Sequence, residues 1–298
     1  MTDFLQLLIG GLSLGALYAL LALGISVVFR SSQVFNFAHG ELATIGAFLL
    51  TTAVSSGLPW GVALAGSAAA TGLLAAGIER AVVRPLIGRP VFVTIILTIF
   101  VGYLLRSATL VLWGPDMRGM PTPWDTMATV DVGDATFLVN ALGALGASAA
   151  ALILFFLLYR RSRLGLWMRV TSTDPEVALA LGIPVGRVYT SIWFLSGAYA
   201  AVAGVFLSLF PNNLDASLGQ VALKAFPAVI VGGLTSPTGA VVASVLLGII
   251  EVMAQAYLEP RLGPFGYQIH QIVPFLIMIA FLIARPYGLF GTRDVERV

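Results

Sequence analysis

The sequence predicts an all-α polytopic membrane protein of about nine transmembrane segments, with an inverted repeat and two interrupted helices. Three observations carry that fold class. The 298 residues are 58% hydrophobic and only 10% charged, with a mean hydropathy of +0.96, well outside soluble composition. Apolar stretches near the roughly 20 residues that cross a bilayer recur from end to end, so residues 1–298 read as one transmembrane domain. The arginines gather between those stretches, which orients them. There is no cysteine, hence no disulfide or thiol chemistry. The net charge of +2 matters less than where the arginines lie, and nucleic-acid binding has no support.

Segment one, residues 4–29, interleaves Gly10, Gly11, Ser13, Gly15 and Gly24 with aliphatic residues, a composition for close helix packing in lipid. It lacks a basic leader and a small-residue cleavage site, so it reads as a retained helix ending at Arg30. Segment two, residues 31–54, opens on SSQVFNFAHGE, a poor start for a lipid-facing helix and therefore broken or buried in protein. Segment three, residues 58–78, leads into Arg80, Arg84 and Arg89 with one acid, Glu79; segment four is 90–113. Residues 114–136 are acidic (Asp116, Asp125, Asp131, Asp134) and carry Pro121, Pro123 and Trp124, an outside loop with an interfacial aromatic. Segment five, residues 137–159, ends at Arg160, Arg161 and Arg163; segment six is 188–210, after Arg187. Residues 220–233 are apolar but short, with Lys224 and Pro227, and GGLTSPTG interrupts them before segment eight, 240–258. The last segment, 269–284, precedes Arg285, Arg293 and Arg297.

With the short seventh piece crossing, nine segments place the N-terminus outside and the C-terminus in the cytoplasm. Arg30, Arg80, Arg84, Arg89, Arg160, Arg161, Arg163, Arg169, Arg187, Arg285, Arg293 and Arg297, most of the 16 basic residues, then lie inside. Eight crossings would put the C-terminal arginines outside, against the bias. Segments one and six share a faint pattern, Tyr18-Ala19 and Tyr199-Ala200 followed by small residues up to Gly24 and Gly204. They would run in opposite directions, and each is followed by an interrupted segment. The chain thus reads as segments one to four inverted on six to nine, with five as connector. By itself the similarity is what chance gives in membrane helices; the paired interruptions mark a solute pathway. It would run near Asn36, His39, Gly40 and Glu41 on segment two and Pro227, Gly232, Gly233 and Thr235 on segment seven, where freed backbone groups must face protein or a wet cavity. Tight packing is the competing role for those glycines.

The long hydrophilic interval 160–188 holds a helix of about two turns. Thr173 or Asp174 caps it, Pro175 suits its first turn, Glu176 completes a T-x-x-E capping box, and Gly182 and Pro184 stop it. So short a helix with apolar Val177, Leu179, Ala180 and Leu181 implies a packing partner, and the flanking arginines put it in the cytoplasm.

No enzyme motif survives. H-E-x-x-H and G-x-S-x-G are missing, and the one lysine, Lys224 in Leu223-Lys224-Ala225, cannot complete a P-loop. His39 with Glu41 has the chemistry of a metal pair or proton relay; meeting water, capping a half-helix or pairing with Arg30 outweighs a metal. Arg106 and Glu251 are further intramembrane charges, suited to an aqueous path, to snorkelling or to a buried pairing, and His270 reads as interfacial.

FNFAHGELATIGAF at 35–48, DPEVALALGIPVGRV at 174–188 and VGGLTSPTGAVVAS at 231–244 resemble the permease subunits of ABC importers for branched-chain amino acids, in order over nearly the whole chain. N-F-A-H-G-E is specific to that family; the other two motifs are shared more widely among importer permeases. The resemblance implies a bacterial inner-membrane subunit without a cofactor of its own, since a partner ATPase binds ATP. It also implies a second permease subunit in a heterodimer, an extracytoplasmic substrate-binding protein, and docking of the cytoplasmic ATPase through Thr173, Asp174, Glu176, Ala178, Leu179 and Gly182. Relatives that carry urea or short amides look similar in the same places. Two other classes stand beside it: an ion- or proton-coupled secondary transporter using His39, Glu41 and Glu251, and a membrane scaffold that moves nothing.

Overall fold

The computed structural model describes residues 2–132, 135–209 and 213–291, so the expectations attached to Asp134, Phe210, Arg293 and Arg297 lie outside the described residues. The chain is an all-α polytopic membrane bundle. Six helical stretches are long and apolar enough to cross a membrane: Phe4–Ser32, Trp60–Leu86, Val91–Trp113, Val139–Arg161, Val185–Leu207 and Pro237–Leu262. They contain α1 (Thr2–Ser32), α3 (Trp60–Ile78), α4 (Val91–Trp113), α5 (Val139–Arg161), α8 (Val185–Leu207) and α11 (Pro237–Met253). Other apolar segments are shorter: α2 (His39–Ser55), the pair α9 (Leu218–Ala222) and α10 (Ala225–Gly232), and α13 (Val273–Ala284). Both expected interruptions are present. Residues 33–38 carry no helix before α2, and the GGLTSPTG stretch leaves residues 233–236 without helix between α10 and α11; a second break at residues 223–224, which the sequence reading did not foresee, separates α9 from α10.

Two features depart from the sequence reading. The outside loop contains a two-stranded antiparallel hairpin, β1 (Thr129–Val132) and β2 (Ala135–Leu138), pairing Thr129 with Leu138. The hydrophilic interval holds two helices, α6 (Arg163–Thr173) and α7 (Pro175–Ala180). Ser162 starts α6 by accepting the Gly165 N–H at 2.9 Å, an ordinary N-cap. The short helix α12 (Glu259–Leu262) extends α11 through a π-helical turn, as the π-helical turn Glu79–Val83 extends α3.

The bundle has a hairpin end and an arginine end. At the hairpin end Trp60 donates to the Pro121 carbonyl (3.0 Å), Trp113 to Thr52 (2.8 Å) and Trp124 to Asn140 (2.6 Å). Apolar rings with one satisfied polar atom suit a membrane interface. Paired backbone bonds between Arg118 and Leu214 fasten the loop before the hairpin to the start of segment seven.

α1 forms the centre. Tyr18, Leu20, Leu21, Leu23 and Ile25 are buried on every side, which is why its sequence shows no polar stripe. α4 and α5 instead expose Phe92, Ile96, Phe100, Ile153 and Leu154, surface that lipid solvates. Helices close through glycine. A Cβ at Gly15 would stand 2.7 Å from Val245 Cα, so α1 lies backbone to backbone on α11; Gly72 meets the Phe194 carbonyl in the same way, joining α3 to α8. The contacts come in exchangeable sets: α1 lies on α11 as α8 lies on α3, and α2 on α3 as α10 on α11.

A side chain should therefore be intolerable at Gly248, where a Cβ would overlap the Gly15 backbone, and harmless at Gly10, where it meets nothing within 4 Å. Gly248→Ala should destabilise by about 1–3 kcal/mol, the usual cost of overpacking. Gly10→Ala should lose nothing. Thermal unfolding of the two variants in one detergent checks the contrast, and equal melting would contradict this packing.

Candidate functional site

Two regions carry the functional expectations. The first is α7 at the arginine end. Asp174 caps it alone: Oδ1 accepts the N–H groups of Glu176 (2.8 Å) and Val177 (3.0 Å). Thr173 is no cap, because it closes α6 and its hydroxyl donates to the Arg169 carbonyl. The T-x-x-E box fails with it, since counting from Asp174 puts Glu176 one position too early for the reciprocal bond. Gly182 stops the helix with φ +77°, a conformation glycine adopts without strain. Its N–H reaches the Leu179 carbonyl, and Ile183 reaches Ala178.

The helix has two faces. Ala178 is fully buried in a small cluster with Val185 and Tyr189, so of the expected coupling residues it is the one that faces its own chain. Val177, Leu179 and Leu181 are 50–69% exposed. Arg84 fixes the base of this loop, donating to the Gly186 carbonyl (2.7 Å) while its guanidinium forks onto the buried Glu79 (2.8 and 2.7 Å). Thr190 of α8 completes the carboxylate's shell at 3.0 Å from Oε2.

The second region is the meeting of the two interrupted segments. Gly40 at the start of α2 packs against the Gly219 carbonyl of α9, and Phe37 stacks on Phe226 with ring centroids 4.7 Å apart. Asn36, 1% exposed, turns the chain by accepting the Ala38 N–H, and its Nδ2 has no partner. His39, also 1% exposed, sits between Ser196 (3.3 Å from Nδ1) and the Leu21 backbone, and its Nε2 meets no hydrogen-bond partner. Glu41 lies against Gly102 and Gly219; Arg106 of α4, rather than Arg30, is the cation that acts on it, and Oε2 is unpaired. Three buried polar groups at one break thus lack a partner, and they face different neighbours: His39 points toward α1 and α8, Glu41 toward α4 and α9.

Pro227 is buried in α10 beside Phe226. Gly232, Gly233 and Thr235 do not join this cluster's contacts. Gly232 packs on Gly239, and Gly233 (φ +100°) on Phe290 and Gly291, so the close approach they allow is made by their own chain; Thr235 lies half-buried in the turn. Glu251 turns out to be paired: Lys224 donates to Oε1 at 2.6 Å and Tyr18 to Oε2 at 3.0 Å. The sequence reading singled out both charges without joining them. His270 pairs with Glu259 at 2.5 Å near the hairpin end. Among the described residues no group of three or more His, Asp or Glu gathers as a metal site.

The chain as a whole has known relatives. The high-affinity branched-chain amino acid transport system permease protein LivH of Salmonella typhimurium is 28% identical over 99% of this chain and 98% of its own. BraD of Pseudomonas aeruginosa, a permease protein of the same description, is also 28% identical, over 99% and 98%. The probable branched-chain amino acid transport permease protein LivH of Methanocaldococcus jannaschii matches at 28% over 96% of this chain and 92% of its own. Among solved structures, PsaBC from Streptococcus pneumoniae in complex with Fab shares the fold with a TM-score of 0.52, at 14% identity, over 96% of this chain and 94% of that one. Residues 7–282 match the family described as branched-chain amino acid transport system / permease component. The chain belongs to that family, and it is a membrane transport component rather than an enzyme.

Proposed function

We propose that this chain is a permease subunit of an ATP-driven importer for branched-chain or other hydrophobic amino acids in a bacterial inner membrane. The observation that carries the reading is α7: a capped six-residue helix whose Ala178 packs on its own chain while Val177, Leu179 and, just past its end, Leu181 are exposed. A chain that offers such a face and has no nucleotide motif needs an ATPase beneath it. Family membership favours a second permease subunit, forming a heterodimer, and a substrate-binding protein outside. The hairpin end faces outside and the arginine end the cytoplasm, in keeping with the positive-inside bias and the tryptophans at the hairpin end.

The nine crossings comprise the six long helices, α2, the α9–α10 pair and α13. Exchangeable packing of α1 with α8, α2 with α10 and α3 with α11 supports the inverted repeat. The solute passes between segments two and seven, along Asn36, His39 and Glu41, with Gly40 holding the break closed and Pro227, Gly232, Gly233 and Thr235 shaping the inner end of segment seven. The unpaired Asn36 Nδ2, His39 Nε2 and Glu41 Oε2 supply the polar lining that a solute leaving water requires.

Uptake of labelled leucine into proteoliposomes holding the co-expressed complex tests the function: it should require internal ATP, and ATP-independent uptake by this chain alone would sink the reading in favour of a secondary transporter. Leu179→Asp removes an apolar contact worth about 1.5–3 kcal/mol when buried, so ATPase co-purification should drop tenfold or more while membrane insertion persists. Undiminished co-purification would take α7 out of the docking surface. The chain's lack of cysteine makes orientation accessible as well. Single cysteines at Asp131 and Ser172 should react with an impermeant maleimide from opposite sides, and labelling from one side would refute the topology.

A further inference from the structure

At the hairpin end α1, α5, α8, α9 and α11 line a partly open cavity of about 500 Å³, with the Tyr18–Glu251–Lys224 cluster in its wall. That volume lies within the range of about 300–1,000 Å³ typical of small-molecule sites. The charges in it are unusual. Glu251 is 3% exposed and Lys224 15%, and a buried ion pair is at best neutral for stability against well-packed apolar residues. Here the pair borders open space instead of being packed over.

Its hydrogen bonding is also incomplete. An ammonium has three donors, and among the described residues Lys224 uses one, on Glu251 Oε1. Each Glu251 oxygen accepts one bond, from Lys224 or from Tyr18, and keeps a lone pair. The cavity therefore offers spare donors for an anion immediately beside spare acceptors for a cation. The remaining surface includes Leu14, Leu17, Ala144 and Val221, which suit a short aliphatic group. Polar side chains, among them Ser13, Asn140 and Gln255, share the lining with these aliphatic ones, and both signs of charge a few ångströms apart beside the aliphatic patch complement an α-amino acid with a hydrocarbon side chain.

The cavity is separate from the polar cluster at the break. α9 stands between them: Gln220 lines the cavity, while Gly219, its neighbour, packs on Gly40 and Glu41. We propose that this cavity, formed by the helices of one permease subunit, binds the amino acid zwitterion, with Lys224 taking the carboxylate and Glu251 the ammonium, before α9 yields to the path at the break. The proposal rests on the transport reading above and adds a site to it.

The test uses the assembled complex with one reporter cysteine, Val252→Cys, on the cavity wall. Alkylation by N-ethylmaleimide is timed with L-leucine, with 4-methylpentanoate (carboxylate alone) and with 3-methylbutylamine (ammonium alone). Leucine should slow the reaction about tenfold and the two half-charged analogues much less. Lys224→Met with Glu251→Leu replaces the pair by apolar residues of similar size, a change buried pairs tolerate, and should abolish the protection. Leucine uptake by the parent complex with no protection of the cysteine overturns the site and leaves the transport reading standing; protection without uptake does the reverse. Equal protection by the carboxylate or the amine, or protection that survives the double substitution, overturns the assignment of the two charges, and a complex showing neither uptake nor protection overturns both readings.

Discussion

A peptide group inside a bilayer has no water to bond, and the architecture follows from that one constraint. Continuous helices satisfy it within themselves. Segments two and seven cannot, because each begins inside the bundle after a stretch without helix. They are admissible only where protein surrounds them: Gly40 lies against Gly219 and Phe37 against Phe226 where the two meet, and Thr98 of α4 accepts the Phe37 N–H and donates to the Phe35 carbonyl at the break before α2. The glycine contacts of α1 with α11 and α3 with α8 press the four helices around them close enough to seal both breaks. Three polar side-chain atoms nevertheless remain unpaired there, one each on Asn36, His39 and Glu41.

Much of this was legible in the sequence because local chemistry decided it. Polar residues from Ser31 to Glu41 forbid a lipid-facing helix start, and the interruption lies where they lie. Asp174 with Pro175 and Gly182 writes both ends of α7. The capping residue was ambiguous because Thr173 and Asp174 have equivalent cap chemistry; α6, running to Thr173, resolves it by occupying the threonine. The hairpin had its own signal, two short β-branched runs separated by Gly133-Asp134, which the membrane pattern around it overshadowed.

Contacts between distant residues were not legible, since no local rule joins Lys224 to Glu251 or Gly40 to Gly219. One clue existed for the second pair. H-G-E-L-A at 39–43 and L-G-Q-V-A at 218–222 share the pattern G-[E/Q]-[L/V]-A, a closer echo between the two halves than the Tyr-Ala pair. Its glycines are the two that touch. Nor could exposure be read from the sequence: Ala178 and Leu179 are adjacent apolar residues, yet one faces Val185 and Tyr189 and the other faces away, because a helix of six residues gives too little periodicity to fix its face.

The two buried carboxylates show what joins the halves. Glu79, at the end of α3, holds a cation from the next turn of its own segment and a hydroxyl from α8; Glu251, near the end of α11, holds a cation from segment seven and a hydroxyl from α1. Exchanging α3 with α11 also exchanges α8 with α1, so each acid reaches the helix that corresponds to the other's partner. Such pairs add little net stability, because desolvation offsets the attraction. What they add is registry. A glycine contact tolerates sliding along a smooth helix face, whereas a carboxylate held by both a cation and a hydroxyl admits one position along the axis. Glu79 joins α3 to α8 beside the loop that carries α7, and Glu251 joins α11 to α1 beside the cavity. Each end of the bundle thus carries one buried acid that ties its helix to a neighbour, and the broken segments meet between the two.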